Sequence, residues 1–118
     1  MVRFQFKPGD VASIFYPNQE DHRQGTERYA VIIEDLGDEY VLVPITKQLH
    51  QKRNYPNSIL IKKNTTTGKE MGLIYDSLLV IDRAIQLPKL RITLPKLGTC
   101  PEKIIHSLID KLNELGLP

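Results

Sequence analysis

The sequence predicts a mostly β fold: a small, curled antiparallel barrel closed or flanked by a C-terminal helix. Three observations carry that expectation. Short apolar runs rich in β-branched residues, each bounded by turn residues, recur between Val11 and Ile81. Ile104, Ile105, Leu108, Ile109, Leu112 and Leu115 repeat at helical spacing and form one apolar stripe. The 118 residues, 41% hydrophobic and 25% charged, suit one domain over residues 1–118 and exclude wholesale disorder.

The elements follow in order. Lys7-Pro8-Gly9-Asp10 has Pro and Gly at the two central positions of a type II turn, where Pro presets φ and Gly accepts a positive φ. A strand is expected over Val11–Tyr16, then a long polar loop over Pro17–Glu27. Arg28–Asp35 and Glu39–Ile45 flank Leu36-Gly37-Asp38 and read as an antiparallel hairpin. Pro44 lacks a ladder N–H, which points to an edge or a bulge. Thr46–Asn57 is a second long polar loop, and Ser58–Lys63 a strand. Asn64–Lys69 reads as a turn with Gly68 at its positive-φ position. Gly72–Ile81 holds one more strand, with a corner or bulge at Asp76-Ser77. Pro88 and Pro95 divide residues 87–98 into one helical turn and one short strand. Thr99 and Glu102 fit a capping box for the terminal helix, and Gly116 suits its stop.

Charge is unevenly distributed. Residues 1–46 hold four basic against eight acidic side chains, a net −4; residues 47–69 hold six basic and no acidic ones; residues 70–118 balance at six each. A 23-residue block of unopposed positive charge attracts phosphates. The chain has no apolar run near the ~18–20 residues that span a bilayer, so no membrane role is expected. Met1–Lys7 has no apolar signal core, and the single cysteine, Cys100, makes no intrachain disulfide, so a cytoplasmic location is expected. His22, His50 and His106 lack metal-ligand spacing, and no nucleotide-binding, serine-hydrolase or zinc-protease motif is present. No metal or other cofactor is expected.

Two polar residues stand at strand ends. In a hairpin centred on Gly37, paired positions sum to about 74, which sets Arg28 beside Thr46. Both long loops leave from that end and carry His22, Arg23, Lys47, Gln48, His50, Lys52 and Arg53, a set suited to a phosphodiester backbone. Ordinary strand-end or loop-capping roles are the alternative for Arg28 and Thr46.

Several short motifs together resemble the MazF/PemK toxins of bacterial type II toxin–antitoxin systems. They are Lys7–Val11 (KPGDV), Arg28–Asp35 (RYAVIIED), Val43–Thr46 (VPIT), Asp76-Ser77 and Leu94–Gly98 (LPKLG) before a terminal helix. The resemblance implies an SH3-like barrel, usually a homodimer, that cleaves single-stranded mRNA without metal and is neutralised by a cognate antitoxin. It implies that Arg28 and Thr46 are the central site residues. Ser77 and Arg83 join the expected RNA-contacting set. Tyr29 stands where the family has Pro, and Ile85 where relatives often carry a second arginine, with Arg83 two places earlier. The alternatives are an RNA- or partner-binding barrel without catalysis and a CcdB-like inhibitor of DNA gyrase.

Metal-free RNA cleavage needs the 2′-hydroxyl deprotonated, the leaving 5′-oxygen protonated and the phosphorane charge stabilised. Arg28 suits the last role, because a guanidinium can fork two donors onto phosphate. Thr46 can orient the phosphate or the hydroxyl. Neither is a base, which leaves His22 and His50 as the candidate bases in the two loops. Tyr16, Tyr29 and Tyr55 are the aromatic side chains available for base stacking, with half-buried strand positions the plainer reading for the first two.

Overall fold

A computed structural model describes residues 6–17, 25–89, 92 and 96–116. Among the described residues seven strands form one curled sheet, and every pairing between them is antiparallel. In chain order these are β1 (Asp10–Pro17), β2 (Gly25–Asp35), β3 (Glu39–Thr46), β4 (Ile59–Ile61), β5 (Ser77–Leu79), β6 (Ile85–Pro88) and β7 (Gly98–Thr99). The spatial order is β4-β5-β3-β2-β1-β7, with β6 also paired to β3. Helix α1 (Thr66–Glu70) follows β4, and α2 (Glu102–Leu115) ends the fold.

The first turn forms as its residues dictate. Asp10 N–H donates to Lys7 O (3.0 Å), and Gly9 takes φ +100°. β2 starts at Gly25, three residues before the expected boundary, because the long β1 continues to pair with it as far as Pro17↔Gly25. Arg28 therefore lies inside the strand, opposite Ile14.

The β2–β3 hairpin has the anticipated register from Tyr29↔Ile45 to Ile32↔Leu42. It then slips by one to Glu34↔Val41, so Ile33 is the extra residue of a β-bulge. Asp35 Oδ1 accepts from Gly37 N–H (2.9 Å) across the turn, where Gly37 has φ +101°.

β3 is central, not an edge. Its outer side meets β6 over Glu39–Leu42 and β5 over Ile45–Thr46. Pro44 falls where the partner changes. Its carbonyl accepts from Val80 N–H (2.8 Å), so its N–H-less nitrogen faces the same gap, where no ladder bond is needed.

Alternation along β2 and β3 feeds two cores. Val31, Ile33, Val41, Val43 and Ile45 pack with Leu79, Ile81 and the α2 residues Ile105, Leu108 and Leu112. Ala30, Ile32, Tyr40 and Leu42 pack on the opposite face with Phe6, Ile14 and Ile92. Buried Tyr40 clamps Phe6 by accepting from its N–H (3.1 Å) and donating to its carbonyl (3.0 Å). In α2, Ile109 and Leu115 lie at the exposed margin of the stripe. Burial pushes the pKa of the Cys100 thiol up to about 12, which keeps it protonated and unreactive.

Three local expectations change. Gly68 is not a positive-φ turn residue. It sits inside α1, which Thr65 caps by accepting from Gly68 N–H (3.1 Å). Thr99 does not cap α2, because it pairs with Asp10 in β7 and the helix begins after Pro101 without a side-chain cap. The strand expected over Gly72–Ile81 shrinks to Ser77–Leu79, and a further strand, β6, forms over Ile85–Pro88.

The ends of the curled sheet meet through backbone. A Cβ on Gly98 would lie 2.4 Å from the Met71 carbonyl carbon and 2.5 Å from Glu70 O. Gly72, at φ +75°, meets Leu97 O equally closely. Gly98→Ala should therefore destabilise the fold by about 3 kcal/mol, since rigid backbone must move. Urea unfolding should show a lower midpoint with an unchanged slope; a midpoint equal to wild type would remove the steric argument.

Candidate functional site

The residue-28 end of the sheet is assembled by β2, β3 and β5. One step beyond the Tyr29↔Ile45 pair, β2 reaches Arg28 and β3 reaches Thr46, whose other neighbour is Leu78 of β5. Thr46 is partly buried, and its Oγ1 accepts from Gln48 N–H (3.1 Å), fixing how the chain leaves β3. An acceptor role there leaves the hydroxyl proton for donation.

Residues 47–57 are more ordered than a plain loop. Leu49–Arg53 forms a 3-10 turn that carries exposed His50, Lys52 and Arg53. Lys52 Nζ turns back onto the carbonyls of Pro56 (3.1 Å) and Ser58, so some of its charge closes the loop. Two further contacts tie the loop to the 3-10 turn Ile81–Arg83. Asp82 accepts from the N–H of Asn57 (3.3 Å) and from its Nδ2 (2.8 Å). Arg83 Nη1 donates to the Tyr55 hydroxyl (3.2 Å), with the guanidinium carbon 5.9 Å from the ring centroid.

Over residues 7–115 the chain matches the family model described as PemK-like, MazF-like toxin of type II toxin–antitoxin system. The chain belongs to that toxin family. The solved structures agree on the fold. A MazE–MazF crystal structure from Deinococcus radiodurans (Form-II) has a TM-score of 0.69 at 18% identity, over 95% of this chain and 96% of that one. A second crystal form of it (Form-III) gives 0.68 at 16%, over 98% and 100%. The Mycobacterium tuberculosis toxin MazF-mt6 gives 0.59 at 12%, over 91% and 98%. No curated protein matches the chain in a direct sequence comparison.

The toxin's expected contact residues divide into groups. Thr46, Lys47, Gln48, His50, Lys52 and Arg53 follow one another from the end of β3 through the 3-10 turn, and Arg83 joins them by way of Tyr55. His22 and Arg23 lie outside the described residues. Ser77 is not a surface residue: it is 4% exposed, and its Oγ donates to Tyr75 O (2.8 Å), which holds the corner before β5. Ile85, where the resemblance led to the expectation of a second arginine, pairs with Leu42 in β6 and packs on the second core.

The positive block of residues 47–69 also gains acidic neighbours that sequence order conceals. Asp82 bonds Asn57, and Asp76 Oδ1 accepts from Lys63 N–H (2.9 Å). One residue of this end escaped the sequence reading. Tyr75 lies with Lys47 Nζ 4.9 Å from its ring centroid. Its sequence signal was a tyrosine directly before Asp76-Ser77. Asp82→Ala should free the loop rather than unfold the protein, at a cost of about 1–2 kcal/mol. Amide exchange at Asn57 should accelerate while that in β2 and β3 keeps wild-type protection; equal exchange at Asn57 would show that the clasp does not order the loop.

Proposed function

We propose that this toxin is an endoribonuclease that cleaves single-stranded mRNA without a metal ion, with Arg28 and Thr46 as its catalytic residues. The observation that carries this reading is the hairpin register, which runs Arg28 and Thr46 out on neighbouring strands where the cationic segment 47–57 begins. Family membership supports the reaction class.

In the proposed mechanism, the guanidinium of Arg28 forks two donors onto the non-bridging phosphate oxygens as the 2′-oxygen attacks phosphorus. It stabilises the charge that grows there. Thr46, accepting from Gln48, donates a hydrogen bond from its hydroxyl to the phosphate. The candidate base takes the proton of the 2′-hydroxyl and returns it to the 5′-oxygen as the bond between that oxygen and phosphorus breaks, leaving a 2′,3′-cyclic phosphate on one fragment and a 5′-hydroxyl on the other. Lys47, Arg53 and Arg83 supply positive potential along the RNA strand, and His50 is a candidate base alongside His22. A cytoplasmic location accords with this substrate.

The proposal includes a homodimer with an isologous interface and a cognate antitoxin that neutralises the toxin. The MazE–MazF complexes among the similar structures support the antitoxin. An acidic segment that folds on binding would complement the exposed Lys47, Arg53, Lys62, Lys63 and Lys69. Sedimentation at tens of micromolar, a range ample for a weak micromolar dimer, should find two copies; a monomer there would oppose the assembly.

Arg28→Ala should lower the cleavage rate ~10²–10³-fold, the usual loss for one transition-state donor. Arg28→Lys should recover little, because an ammonium cannot fork onto phosphate. Thr46→Ala should cost less, and Thr46→Ser almost nothing. Chelators should leave every rate unchanged. The assay is cleavage of RNA by folded variants, with folding checked by circular dichroism. Wild-type rates from Arg28→Ala would displace the site. If the wild type cuts nothing while still binding RNA, the family arginine replaced by Ile85 is the decisive loss, and the protein is a binding module.

A further inference from the structure

We infer that Tyr75 is a base-stacking platform that sets how this toxin holds its RNA, an inference that rests on the endoribonuclease reading. Tyr75 and Ile74 are consecutive large apolar side chains, 51% and 61% exposed, at the cationic end of the sheet. Isolated exposed apolar residues are ordinary. This pair differs in its backbone and in its neighbour.

The backbone beneath Tyr75 is held on both sides. Ahead of it, Leu73 is buried with its N–H on Gly68 O (3.0 Å), and Gly72 is sealed against Leu97 O. Behind it, Asp76 Oδ1 accepts from Lys63 N–H, and buried Ser77 donates to the carbonyl of Tyr75 itself. A ring presented from so fixed a turn loses little freedom when a base stacks on it.

The neighbour is Lys47, which directly follows Thr46 and keeps its ammonium 4.9 Å from the ring centroid. A single-strand site combines aromatic rings that take bases with cations that take the intervening phosphates. The other described cation–aromatic pairs lack an open ring. Tyr40, under Lys89, is 3% exposed, and Tyr55, against Arg83, is half-buried with its hydroxyl engaged. Among those pairs Tyr75 alone is exposed, and its lysine directly follows Thr46, a proposed catalytic residue.

The test is binding to a short, mixed-sequence 2′-fluoro RNA, which keeps bases and phosphates but lacks the attacking hydroxyl, measured by fluorescence anisotropy. Tyr75→Ala should weaken binding roughly 5- to 150-fold, the range for losing one base–aromatic stack. Tyr75→Phe should retain wild-type affinity. An abasic strand of the same length should be bound equally by wild type and Tyr75→Ala. Lys47→Ala should weaken both strands and flatten the salt dependence by roughly 0.7 in slope, one phosphate's share. Equal affinity of wild type and Tyr75→Ala for the base-bearing strand overturns the platform, as does an equal loss on the abasic strand. Failure of the wild type to bind any strand also overturns it. Cleavage of unmodified RNA, assayed in parallel, judges the endoribonuclease reading separately.

Discussion

The change of partner along β3 is the constraint on which the site depends. A strand has two edges, and the inner edge of β3 is committed to β2 from Tyr40 to Ile45. Its outer edge serves β6 at one end and β5 at the other, with Pro44 in between. Proline tolerates that position because nothing there asks for its N–H, and its carbonyl still serves Val80. Were β6 to continue alongside β3, β5 could not reach Thr46. The corner that carries Tyr75, Asp76 and Ser77 would then lie elsewhere. The sheet curls because its central strand is shared, and the shared strand brings loop, corner and hairpin end together.

A curled sheet needs its free ends held, and here glycine does it. Gly72 and Gly98 let the end of α1 and the start of β7 meet backbone to backbone, closer than any Cβ permits. Gly68 acts in the same way within α1, where a Cβ would lie 2.3 Å from Lys62 O. These contacts do no chemistry. They stiffen the segment between β4 and β5, from which the exposed ring projects, and so link a steric requirement in the fold to geometry at the site. The glycine of the LPKLG motif thus has a physical reason in the fold.

Elements governed by local chemistry were legible in the sequence. The Pro-Gly turn, the hairpin with its register and the stripe of the terminal helix each follow from short-range rules, and each appears. What escaped was decided by partners distant in sequence. Gly68 looked like a turn residue because its close neighbour is Lys62 backbone, which no pattern announces. Thr99 and Glu102 matched a capping box, but Thr99 was claimed by Asp10 across the sheet. Ile85–Pro88 showed no strand signal of its own and became β6 because the outer edge of β3 was open to it. Ser77 joined the expected RNA-contacting set, yet its place between β3 and β4 buries it.

The charge block illustrates the same division at the level of function. Counted along the chain, residues 47–69 are six positive charges with no acid. Folded, their roles separate. Lys52 is drawn onto carbonyls of its own loop, and Asp82 and Asp76 are set against the block's backbone and side chains. These contacts consume some of the field but fix the positions of what remains. A diffuse positive segment would attract any polyanion and hold none in register. In the proposed site, a clasped loop with Lys47 against an ordered ring would confine the attraction to a track beginning at Thr46, as the proposed guanidinium chemistry requires of a phosphodiester held within a fraction of an ångström. The acidic residues folded against the basic block therefore weaken attraction at long range and sharpen placement at short range, which is the balance that the proposed cleavage needs more than binding alone does.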